Sequence, residues 1–172
     1  MRTVARPDLL LIGALLHDIG KGYPGDHTEV GMELVGTIVP RMGFDDDDTA
    51  IVRSLVEHHL LLSETALRRD LADPRTAENV AAAVGDQTRL ELLRALTEAD
   101  SRATGPSAWS AWKETLLDEL TAAVAAVLAG HEAVADDIDH EVVHASILGR
   151  VRTDQTAHTA RVQTDDFELW TV

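Results

Sequence analysis

Leu15-Leu16-His17-Asp18-Ile19-Gly20-Lys21-Gly22 decides how this chain is read. The octet closes an apolar run from Leu9 to Leu16. A helix with no polar face is one buried in its domain. The run is therefore expected to form an interior helix, opened by Pro7-Asp8 and reaching about Ile19. A histidine and an aspartate at the end of such a helix need partners, because an ionised carboxylate alone in apolar surroundings is strongly disfavoured. Gly20 and Gly22 end the helix and let the backbone turn, so the pair lines a groove. Adjacent helical side chains point about 100° apart. One ion beyond the helix end can be gripped by both.

The surrounding composition narrows the chemistry. The chain has 172 residues, enough for one sizeable core and a small appendage, and 45% of them are hydrophobic, as in a globular protein. Its formal charge of -15 argues against nucleic acid or an anionic membrane as partner. An anionic substrate would be repelled at long range, so a site for one needs a local cation, most simply a metal. Cysteine is absent, which excludes thiolate zinc sites, disulfides and cysteine nucleophiles. A cytoplasmic location is the expectation, since the chain shows neither a signal-peptide pattern nor an apolar run long enough to span a bilayer.

Outward from the octet, Asp26-His27-Thr28-Glu29 has the form of a capping box. It places Asp26 at the N-cap of a second helix through Pro40, with His27 in the first turn. The neighbouring helix dipole disfavours a protonated His27 and tolerates a neutral, metal-bound one. The run Asp45 to Asp48 is read as the capped start of a third helix, since no calcium-loop spacing accompanies it. That helix ends in Glu57-His58-His59, and both histidines border its apolar stripe, so helical geometry alone does not choose between them. Ser63 is expected to cap a fourth helix from Glu64 to about Leu71, with Arg68-Arg69 facing outward or toward a phosphate. A fifth is expected over Thr76 to Val84. A sixth, from about Gln87 to Arg102, carries Asp100 on the face of Leu93 and Leu96, where a carboxylate is unfavourable unless a cation meets it. A long helix to Gly130 follows Gly105-Pro106, with Trp109, Trp112, Leu116, Leu120, Val124 and Val127 as its core stripe. Beyond it, Glu141 to Val151 reads as one short helix, and Thr159 to Gln163 and Phe167 to Val172 read as two short strands. His131, His140, His144 and His158 are expected to be exposed and inert.

The polar residues on inward faces are thus His17, Asp18, His27, one of His58 and His59, and Asp100. Imidazoles mixed with carboxylates suit Mn, Mg, Fe or Zn in a hydrolytic site, with Mn or Mg favoured. Such ions bind phosphate oxygens and activate water. Lys21, on a glycine-flanked turn, can hold a phosphate as a point charge. Other motifs fail: Gly20-Lys21 lacks the spacing and the following Ser or Thr of a phosphate loop, adjacent histidines cannot form a zincin pair, and there is no Gly-x-Ser-x-Gly elbow.

On these residues the chain resembles the HD metal-dependent phosphohydrolase superfamily, with His17-Asp18 matching its hallmark pair and Asp100 its distal aspartate. The ordered string is more specific still. The octet with Asp26-His27, then His59-Leu60-Leu61-Leu62-Ser63, Arg68-Arg69-Asp70-Leu71, Asp73-Pro74, Ala99-Asp100 and Trp109 to Lys113 are similar to the HD domain of the bifunctional uridylyltransferase and uridylyl-removing family. The resemblance implies an all-α HD helical bundle and selects His59 over His58. It implies His17, Asp18, His27, His59 and Asp100 as metal ligands, with Asp18, Lys21 and His59 catalytic. The implied reaction is hydrolysis of a phosphodiester, using a divalent metal, to free a nucleotidyl group (uridylyl or adenylyl) from the PII nitrogen-signalling protein. Glutamine would regulate it through ACT domains of a longer protein. Hydrolysis of free nucleotides and a silent HD sensor or binding module are the alternatives. The expected layout is an N-terminally truncated HD domain over 1–130, a linker with a short helix over 131–154, and the first strands of a truncated ACT-like domain over 155–172. The superfamily uses a further histidine upstream of its His-Asp pair and none precedes His17, so weak metal binding and low activity are expected of this chain alone.

Overall fold

Pro7 opens α1 (Pro7–Leu16) at a position where a missing N–H costs nothing and its fixed φ suits a helix. The structure, a computed structural model, describes residues 4–130. Within them α1 is followed by α2 (His27–Arg41), α3 (Asp46–His58), α4 (Leu61–Arg68), α5 (Pro74–Val84), α6 (Gln87–Thr104) and α7, a helix over 111–130. The described residues contain no strand, in agreement with the all-α expectation. The expected helix over Glu141 to Val151, the two strands, the ACT-like segment and the four histidines from His131 onward lie outside the described residues.

Side-chain caps set most helix starts. The Asp26 carboxylate accepts hydrogen bonds from the Thr28 and Glu29 N–H groups at 2.8 and 3.1 Å, and that of Asp45 accepts from Asp48 N–H at 2.8 Å. Asp73 and Asp86 cap α5 and α6 in the same way. The acidic run is therefore a helix start, and Asp48 is further tied to Arg6. Gly85, at φ 89°, stops α5 in a conformation that favours glycine.

Helix α3 is central, packing against α1, α2, α5 and α6. Val52, Leu55 and Val56 of α3 are fully buried with Leu9, Val35, Val39, Leu92, Leu93 and Leu96. Small residues permit the close crossings: a Cβ on Gly13 would lie 2.5 Å from Leu55 Cδ1, and one on Gly31 would lie 2.9 Å from Val56 Cγ1.

Several boundaries and faces differ from the sequence reading. Helix α1 stops at Leu16, not near Ile19, and it is not buried all round: Leu11 and Leu15 are 69% and 71% exposed. α4 begins at Leu61 without a side-chain cap, and Ser63 sits inside it, donating to the Leu60 carbonyl. α5 begins two residues early, behind the Asp73 cap. On α7 the buried stripe is Leu117, Leu120, Val124 and Leu128, and Trp112 is exposed. Alanines occupy so many positions there that hydropathy leaves the phase of the stripe open.

Trp109 lies in the turn before α7, with the guanidinium carbons of Arg94 and Arg102 at 5.6 and 5.0 Å from its ring centre. Arg94 is only 3% exposed and donates to Glu98 and Asp118. Burial pushes the Glu98 carboxyl up, but hydrogen bonds from Arg102 and Arg94 outweigh it and hold the group below its ordinary range. We expect Arg94→Ala to lose about 2–3 kcal/mol at neutral pH, the scale of buried charge-assisted hydrogen bonds. A depressed carboxyl stabilises above its unfolded value and loses that contribution as pH falls through its folded value. Urea melts should therefore show the gap between wild type and variant narrowing in acid, and a gap independent of pH would contradict the ion-pair account.

Candidate metal centre

The octet ends its helix in an unusual way. His17 is the C-cap of α1 and His59 the C-cap of α3. Carbonyls in the last turn of a helix lack partners. Each ring uses one of them: Nδ1–H of His17 donates to the Ala14 carbonyl at 2.9 Å, and Nδ1–H of His59 donates to the Val56 carbonyl at 2.7 Å. Both hydrogen bonds reach back three residues. They fix the tautomer and leave each Nε2 with a lone pair aimed away from its own helix.

Asp18 stands between these rings. Its Oδ2 lies 3.2 Å from His17 Nε2 and 2.6 Å from Lys21 Nζ, and its Oδ1 lies 3.7 Å from His59 Nε2. The last separation is too long for a hydrogen bond. Oδ1 is buried and has no hydrogen-bond partner. Burial pushes the Asp18 carboxyl up, but the opposing causes, led by the Lys21 hydrogen bond, hold the group below its ordinary range.

Helix α2 brings the third imidazole. Asp26 caps the helix, His27 is its first residue, and the ring meets His59 edge-on with centroids 5.8 Å apart; His17 and His59 are 5.5 Å apart. The turn after Asp18 delivers this approach. Gly20 is buried so closely against α2 that a Cβ there would lie 1.9 Å from the His27 carbonyl oxygen. One ligand atom from each of Asp18, His27 and His59 lies within 4.8 Å of the others. A buried carboxylate oxygen without a hydrogen-bond donor, facing imidazole lone pairs, fits a divalent cation.

Of the residues singled out in the sequence, Asp18, His27 and His59 converge, and His17 flanks them on the second Asp18 oxygen. Asp100, in the last turn of α6, meets only His17 of this set: its Oδ1 is 3.6 Å from His17 Nε2, and its side chain is 41% exposed. It is therefore less inward than the stripe of Leu93 and Leu96 suggests. The structure distinguishes the paired histidines: the His59 side chain is 5% exposed and faces Asp18, whereas His58 faces Glu57 at 3.8 Å. Lys21 is spoken for by Asp18, with its side chain largely exposed. The sequence reading missed the Ala14 and Val56 carbonyls that orient the rings. Their signal is positional, a histidine three residues after a carbonyl at a helix end.

The family model described as "HD domain" matches residues 2–105. The bifunctional uridylyltransferase/uridylyl-removing enzyme of Streptomyces coelicolor is 60% identical over 129 residues, which is 75% of this chain and 15% of that protein. Its Mycobacterium tuberculosis namesake is 55% identical over 128 residues, 74% of this chain and 16% of that protein. The Gluconobacter oxydans namesake is 51% identical over 141 residues, 82% of this chain and 15% of that protein. The chain thus spans about one-seventh of the length of these relatives. No solved structure matches it. With the His17-Asp18 pair, the converging imidazoles and a family match over most of the described bundle, the chain belongs to the HD domain family.

Proposed function

We propose that this domain is a metal-dependent phosphodiesterase that removes a nucleotidyl group from the PII signalling protein. The observation that carries this reading is the buried, unpartnered Oδ1 of Asp18 among the imidazoles of His27 and His59. The names of its relatives support uridylyl as the group removed. Asp18, His27 and His59 would hold a divalent ion, Mn or Mg in preference to Fe or Zn, with His17 and Asp100 completing the set. When bound, the ion polarises a phosphoryl oxygen and acidifies water. His59 and His17 present lone pairs that their helix ends have already aimed. Asp18 orders the site by facing both rings at once. Lys21 hydrogen-bonds Asp18 and is exposed enough to turn to a substrate phosphate once the Asp18 charge is met by a cation. In a longer protein, glutamine acting through ACT domains would set when this site works.

His59→Ala should lower Mn affinity by more than roughly 100-fold, above the range for outer-shell changes. His58→Ala should leave affinity within about twofold, because that ring is turned to Glu57. Metal content and release of uridine monophosphate from uridylylated PII would be measured for both. The reverse ranking would show that the wrong imidazole has been chosen, and a purified domain without metal affinity would overturn the hydrolase reading.

A further inference from the structure

An open cavity lies between the end of α4 and the start of α5. Its volume is about 640 Å³, within the range of small-molecule sites, and Arg68, Arg69 and Arg75 line it together with Asp70, Asp73, Thr65 and Asn79. Three guanidiniums on one cavity are unexpected in a chain of formal charge -15. Their commitments differ. Arg75 is held by Asp73 at 2.7 Å, and Arg68 pairs with Glu64 at 3.4 Å. Arg69 has no carboxylate partner among the described residues, although it lines the cavity.

The cavity wall is fixed. Arg69 N–H donates to the Thr65 carbonyl at 3.0 Å, and Arg69 leaves α4 in extended backbone. The Thr76 hydroxyl donates to the Asp70 carbonyl at 2.8 Å, while Asp70 Oδ1 accepts from Ala72 N–H at 2.9 Å. Asp73, on the same wall, spends both carboxylate oxygens on Arg75. The guanidinium of Arg69 and the neutral donors on Thr65 and Asn79 suit a multidentate anion.

From this arrangement we infer that the cavity is a binding site for a phosphate group, carried on a nucleoside monophosphate or free as inorganic phosphate, with Arg69 as its principal contact. The site is separate from the metal centre in its residues, yet Leu61, which lines it, is two residues from His59. It stands whether or not the metal centre hydrolyses a phosphodiester.

The test is calorimetric titration of uridine monophosphate and inorganic phosphate into the full chain with metal removed by a chelator. Wild type, Asp18→Asn, Arg69→Ala and Arg69→Lys would be compared after circular dichroism shows each folded. Arg69→Ala should weaken binding about tenfold or more, Arg69→Lys should recover part of it, and Asp18→Asn should leave it within about twofold. Tighter binding of the nucleotide than of phosphate assigns the site to nucleotides; equal binding assigns it to the phosphate alone. No binding of either probe at millimolar concentration, or binding that Asp18→Asn abolishes and Arg69→Ala spares, would overturn the inference. Loss of hydrolysis on its own would bear on the metal centre and not on this site.

Discussion

Asp18→Asn is expected to abolish the thermal stabilisation that Mn gives this domain while leaving the metal-free protein about as stable as before. The substitution keeps the shape of the side chain and removes its charge. In the metal-free protein Oδ1 has no hydrogen bond to lose, and the Lys21 contact on Oδ2 is a partly exposed ion pair worth at most about 1 kcal/mol. A ligand that binds only the folded state stabilises it by mass action, about 2.7 kcal/mol when present at 100 times its dissociation constant. Wild type should show that gain as an upward shift in melting temperature with added Mn, and Asp18→Asn should show almost none. A variant that still shifts like wild type would mean that the carboxylate is not a ligand. A variant already unfolded without metal would mean that Asp18 is structural.

Gly20→Ala should damage fold and site together. A Cβ at residue 20 would lie 1.9 Å from the His27 carbonyl oxygen and 2.7 Å from Gly31 N, and both are backbone atoms that cannot rotate aside. Helix α2 would have to move off the turn. Such overpacking costs on the order of 4 kcal/mol, a large part of the stability of a domain this size. The same displacement carries His27 away from Asp18 and His59, so metal affinity should fall with stability. Gly36→Ala is the control on the same helix: nothing lies within 4 Å of its Cβ, and it should stabilise by about 0.5–1 kcal/mol through helix propensity. Denaturant unfolding of both variants, with Mn binding by Gly20→Ala, checks this. Equal effects at the two glycines would contradict the close-approach account.

What the sequence made legible follows from how local the cause was. Asp26 caps α2 and Asp45 caps α3 because a short acidic side chain satisfies N–H groups two or three residues away, which neighbouring letters reveal. His17-Asp18 at a helix end was readable for the same reason. Helical periodicity could not separate His59 from His58, since both border the apolar stripe; the family resemblance chose His59, and across the bundle Asp18 faces that ring while His58 faces Glu57. The stop at Leu16 was not readable either. The Ala14 carbonyl accepts from the His17 ring, and the chain must leave the helix axis for Gly20 to reach α2, a contact between elements that no run of hydrophobicity records. The exposed Leu11 and Leu15 reflect the same limit: α1 packs on α3 and α6, and its remaining side stays open in the described residues.

The backward hydrogen bonds of His17 and His59 have a consequence measured in time. Rings already locked by Ala14 and Val56 need no rotation when a cation arrives, so the protein contributes almost no slow step to loading. The contacts nearest the site are Lys21 on Asp18 and the Thr28 hydroxyl 3.5 Å from the His27 ring, and side chains of this kind change rotamer in picoseconds to nanoseconds. The pace of loading is then left to the ion itself and the reluctance with which it sheds water, a property in which Mg is notably slow to yield. In stopped-flow mixing the uptake rate should follow the identity of the cation and stay nearly unchanged when Lys21 is replaced.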